Sequence, residues 1–197
     1  MLCGPNWCCC AGRERVILFS GVSTPEDCPN NALIIKQQCV NFVYHQQIIM
    51  KSIFDKVTRD ELTSRINNLN ENSTAQWGKM DAGQMLEHCI RAEEHYRGKR
   101  VYKRVPLSYI FGKVALKNIL KDGTPLQHNM PTKPEFVVTG ASNDITGSKE
   151  KWIALINSYE QYAEPRYVHF FFGPMTKEQL GHMVYKHADH HLRQFNS

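Results

Sequence analysis

Apolar residues in this chain return at helical intervals and almost nowhere at strand intervals. Trp152, Leu155, Ile156, Tyr159 and Tyr162 lie on one stripe of a segment spanning about 147–163, and Leu180, Val184, His187, His191 and Phe195 lie on one stripe of 177–195. A stripe of this kind marks a helix with one face to bury. Three more segments read the same way. Thr58-Arg59-Asp60-Glu61 has the form of a capping box and opens a helix to Leu69, with Leu62 and Ile66 on its apolar side. Asp81 is a suitable N-cap for a helix from Ala82 to Arg97, striped by Met85, His88, Cys89, Ala92 and Tyr96 and ended by Gly98. Pro106 can open a third helix, running to Lys121. Thr176-Lys177-Glu178-Gln179 is a second capping box, at the head of the last helix. The only β-like stretches, Phe136–Thr139 and Tyr167–Phe172, are too short to be read as strands. The expected body is therefore all-α: a bundle of four long helices with one extra helix, a long loop over 123–143 and an aromatic connection over 165–174.

Cysteine usage divides the chain. Six of seven cysteines (Cys3, Cys8, Cys9, Cys10, Cys28 and Cys39) precede Met50, and Cys89 alone follows it. A single cysteine cannot bridge, so residues 50–197 read as a reduced, cytoplasmic domain. The adjacent Cys8-Cys9-Cys10 does not have zinc-ligand spacing. Residues 1–49 carry few charges and no sustained period, and they lack the apolar core and cleavage site of a signal peptide. At Met50 the texture turns charged and amphipathic. The expectation is that 1–49 is a non-native or disordered N-terminal extension and that 50–197 is the folded domain. No apolar run approaches the length of a membrane span. The net charge of +5 falls short of a nucleic-acid footprint. Lys113, Lys117 and Lys121, with Lys99-Arg100 and Lys103-Arg104, read as a solvated face, so neither nucleic acid nor membrane is expected as a partner.

Nine histidines are present, and their placement matters more than their number. His187 and His191 interrupt the apolar stripe of the last helix one turn apart, while Lys177, Lys186, Asp189 and Arg193 take other faces. Two imidazoles on a buried face both need partners, and an i, i+4 pair can put two ring nitrogens on one metal ion. His88, on the core stripe of the second helix, can supply a third. Three histidines with remaining positions open is the pattern of a catalytic metal site. His190 competes with His191 but lies nearer the flank. His45, His95, His128, His169 and His182 show no such alignment and are expected to be ordinary surface or loop residues.

Gln84-Met85-Leu86-Glu87-His88, together with His187-Ala188-Asp189-His190-His191-Leu192-Arg193-Gln194, resembles the DinB/YfiT superfamily. The stretches Gln76–Leu86 and Phe172–Gly181 look like an uncharacterised bacterial branch of it, and the resemblance covers 50–197. It implies an up-down-down-up four-helix bundle, often a homodimer, with His88, His187 and His191 holding zinc, nickel or a similar divalent ion. It also implies that the ion binds and activates a low-molecular-weight thiol for transfer to, or isomerisation of, a small-molecule substrate.

The same ligands suit other chemistry. A metal hydrolase would use the open position for hydroxide and needs a general base, for which Glu87 and Asp189 are the candidates, although both are expected to face solvent. A non-enzymatic, stress-related bundle with a structural ion is the third reading. Thiol chemistry, in which a divalent ion stabilises the reacting thiolate, is favoured because neither Glu87 nor Asp189 lies on the inward stripe. The loop 123–143 and the connection 165–174 are expected to border the metal site.

Overall fold

The computed structural model describes residues 50–140, 144–164 and 166–197. The expectations for residues 1–49, including His45 and six of the cysteines, lie outside the described residues.

Five α-helices occur among the described residues: α1 (Lys56–Asn68), α2 (Ala82–Tyr96), α3 (Ser108–Ile119), α4 (Ile145–Asn157) and α5 (Lys177–Gln194). Two capping signals work as the sequence suggests. Asp81 Oδ1 accepts from Gln84 N at 2.7 Å while Gln84 Oε1 accepts from Asp81 N at 3.1 Å. Thr176 and Gln179 exchange the same pair of bonds at the start of α5. These bonds satisfy amide groups that the first turn of a helix leaves open. Gly98, with φ +70, lets the chain turn away after α2.

The expected box at Thr58 is not made. The helix begins earlier, with Asp55 as N-cap and Thr58 buried within α1. Arg59 sets that start: its Nη1 donates to Ile53 O and Phe54 O, clamping the incoming chain, and its own amide bonds Asp55 O. The fourth helix is also shorter than its apolar period. It closes at Asn157 and continues as a 3₁₀ turn over Ser158–Gln161, which still buries Tyr159.

The body is mostly helical but not all-α. Arg166–His169 (β1) pairs antiparallel with Gly173–Thr176 (β2), with Arg166 opposite Thr176 and His169 opposite Gly173. Tyr167 and His169 point inward while Arg166 and Val168 face out, so the alternation is real but only four residues long. Backbone pairing with β2, a long-range feature, decides the matter where the local pattern cannot. His169 Nδ1 accepts from the amides of Phe171 and Phe172, which fixes the turn between the strands. β2 leads directly into α5.

α4 lies against α1 and α2, and α5 also lies against α1 and α2. Leu62 and Ile66 of α1, Met85 and Leu86 of α2, Trp152 and Ile156 of α4, and Leu180, Val184 and Leu192 of α5 are fully buried between them. The stripes read from the sequence are thus the faces that form the core. α3 stands apart from this arrangement. It buries only Ser108, Gly112 and Leu116, and leaves Tyr109, Ile110, Phe111 and Val114 exposed. Gly112 rests so closely on the turn after β1 that a Cβ there would sit 2.2 Å from Phe171 O. No helix among the described residues is long and apolar enough to cross a membrane.

Candidate metal centre

α2 and α5 bring three imidazoles to one point. His88 comes from the core stripe of α2, and His187 and His191 come from one stripe of α5. A nitrogen from each lies within 4.8 Å of the other two. His88 Nε2 and His187 Nε2 are 3.3 Å apart, and the rings of His88 and His187 each lie 4.8 Å from that of His191. These are the three residues that sequence reasoning singled out.

Neighbouring groups fix which nitrogen each ring presents. His88 Nδ1 lies 3.0 Å from Phe136 O, a carbonyl that can only accept, so Nδ1 carries the proton and Nε2 keeps its lone pair. His191 Nδ1 lies 2.9 Å from Gln194 Oε1. Gln194 is oriented in turn by its Nε2, which donates to Trp77 O at 2.7 Å. Burial lowers the pKa of all three rings: His88 below its ordinary value, His191 to about 3, and His187 well below the usual imidazole range. The neighbouring imidazoles add to the depression at His187 and His191. The rings are therefore neutral at physiological pH, the form in which imidazole binds a metal.

The set fits a divalent ion. Two nitrogens on a tetrahedral zinc stand about 3.3–3.4 Å apart, as follows from bond lengths of about 2.0–2.1 Å, and the His88–His187 pair already has that spacing. Nδ1 partners that turn Nε2 inward are the usual outer support of metal-binding histidines.

Around this cluster the long loop supplies the Phe136 carbonyl and His128, whose ring stacks on Trp77 at 3.8 Å. The edge of Trp77 meets His190, which stands beside the cluster with its ring 5.0 Å from that of His191. The aromatic connection is one ring further out. His169 neighbours Tyr96 at 6.2 Å, and Tyr96 neighbours His187 at 6.0 Å.

Several other expectations need correction. His95 and His169 are buried rather than superficial. His95 Nδ1 donates to Arg100 O at 2.7 Å, and His169 holds the β-turn. Lys186 and Asp189 are buried too. Lys186 Nζ donates to Ile119 O and Thr124 O, tying the end of α3 and the start of the long loop to α5. Asp189 is held between Arg65 and Arg193, each at 2.7 Å. Glu87 is occupied by Arg91 at 2.8 Å. Neither proposed base is a free carboxylate, and none joins the three histidines.

Gln194 and the Phe136 carbonyl were not singled out as site groups. Gln194 had a signal, since it follows His191 by three residues on the same helix. The carbonyl had none, because its position depends on where the loop returns.

Residues 54–197 match the family model described as Protein of unknown function (DUF1569), and the chain belongs to that family. No curated protein and no solved structure matches it significantly.

Proposed function

We propose that this member of the DUF1569 family is a divalent-metal-dependent enzyme in which His88, His187 and His191 hold zinc or nickel, and that it transfers a low-molecular-weight thiol to a small-molecule substrate. The observation that carries the reading is the convergence of three neutral imidazoles, two with their Nε2 lone pairs set by partners on Nδ1. On this reading the mutual packing of α1, α2, α4 and α5 is the up-down-down-up bundle of the DinB/YfiT superfamily. The exposed apolar residues of α3 are the surface available for a homodimer.

A bound ion of this type supplies charge stabilisation for a thiolate at neutral pH. The chain supplies the rest. Phe136 O and Gln194 hold the ligand rings in one tautomer. Trp77, His128 and His190 form an aromatic flank beside His191 that can seat a substrate. The engagement of Glu87 and Asp189 with arginines favours thiol transfer over hydrolysis, which would want one of them free as a base.

One preparation tests the proposal. Metal analysis of the purified protein should find one divalent ion per chain. Replacing His88, His187 or His191 by Ala should remove most of it, while His182→Ala should not. Conjugation of a simple thiol to a generic electrophile should require the ion and exceed ester hydrolysis. Full metal content in His88→Ala would break the ligand assignment. Ester hydrolysis without thiol transfer would turn the reading to a hydrolase.

A further inference from the structure

Six of the ten large apolar side chains exposed among the described residues lie between 101 and 114: Val101, Leu107, Tyr109, Ile110, Phe111 and Val114. They gather on α3 and its approach. α3 lies against β2 and buries Ser108, Gly112 and Leu116, which follow at steps of four and form one face. Leu107, Ile110, Val114, Lys117 and Lys121 follow at steps of 3, 4, 3 and 4 and form the opposite stripe. All five are exposed, Ile110 by 70% and Val114 by 59%. The stripe is aliphatic at the head of the helix and cationic at its end. Apolar side chains scattered singly over a surface need no explanation, but several on one helix face mark a place of contact.

The charge beside them has one sign. From His95 to Lys121 the chain carries eight lysines and arginines and no carboxylate. Lys117 has no ion pair or hydrogen bond among the described residues. Lys121 meets Asp122 at 3.8 Å, and Lys113, on the flank of the stripe, donates to Pro174 O.

This is also the surface open to a homodimer, and charge decides between the occupants. A second copy brings the same face, and its α3 holds no carboxylate to meet Lys117 and Lys121. Nucleic acid would meet the lysines, but Leu107, Ile110 and Val114 give bases no ring to stack on. An anionic bilayer surface satisfies both halves of the stripe, with phosphates for the lysines and the acyl boundary for the aliphatic side chains.

We propose that α3 docks this protein on an anionic lipid surface. Leu107, Ile110, Phe111 and Val114 enter the boundary between headgroups and acyl chains, and Lys117 and Lys121 lie among the headgroups. The chain rests on the bilayer without spanning it. The lysines alone read as a solvated face; the aliphatic residues that share their stripe change that reading.

Cosedimentation of the full chain tests this, with vesicles of phosphatidylcholine and with vesicles of equal parts phosphatidylcholine and phosphatidylglycerol. The mixed vesicles should bind the chain about tenfold more tightly or better, and added salt should weaken the binding. Lys117→Gln with Lys121→Gln should weaken it about tenfold or more. Ile110→Gln with Val114→Gln should do the same and leave the melting temperature nearly unchanged, since both side chains are exposed. The proposal fails if the chain does not sediment with the mixed vesicles, if both kinds of vesicle bind it alike, or if either double variant binds as the parent does. It also fails if ultracentrifugation without vesicles finds a dimer that Ile110→Gln with Val114→Gln dissolves, which gives the face to a second copy.

Discussion

Gln194 does two things with one side chain. It accepts from His191 and donates to the Trp77 carbonyl, so the tautomer of a ring in the histidine cluster depends on the segment before α2. Gln194→Ala should leave the fold intact and reduce metal affinity about 10–100-fold, the usual cost of losing an outer partner. Equilibrium competition with a chromophoric chelator measures this, and an unchanged affinity would reduce Gln194 to packing. The cluster of His88, His187 and His191 was legible because helical spacing alone puts them on inward stripes. Lys186 and Asp189 were misplaced for the opposite reason. Each is charged and sits off the apolar stripe, and each is buried only because another element brings a partner. Arg65, which pairs with Asp189, lies 124 residues earlier in the chain, and no local pattern announces such a pairing.

At the scale of elements, period was a good guide to helices and a poor guide to their ends. Trp152, Leu155, Ile156, Tyr159 and Tyr162 are all buried as their stripe requires, although the backbone changes from α to 3₁₀ partway along it. The side-chain stripe survives because it reports what faces the core, not which carbonyl each amide reaches. Ile156, fully buried on α4, should cost about 2–5 kcal/mol when replaced by Ala, measured by denaturant unfolding. A near-neutral value would mean that the face of α4 can collapse to fill the space. The strands were missed because four residues of alternation carry little information. Pairing and the His169 bonds that bend the turn complete them.

For the molecule as a whole, buried titratable groups set the response to acid. Burial holds His169 down to about 3 and lowers His95, from an ordinary 6.5. The unfolded chain takes up these protons near pH 6.5 while the folded chain does not, so stability is complete above that pH and is lost as pH falls toward 3. Glu93 opposes this. Burial raises its carboxyl from 4.5 to about 7, with its Oε2 accepting from Tyr159, so its contribution declines as pH rises across that interval. The histidines outnumber it, and stability should increase from pH 5 to 7.5. Glu93→Gln should make that increase steeper in urea titrations at the two pH values; a flatter one would reverse the assignment. The seat of Gly112 on Phe171 O bears on ancestry rather than energy. A kindred chain with any side chain at that position cannot hold its third helix against the hairpin as this one does. One letter of sequence therefore sorts descendants that keep this docking from those that have abandoned it.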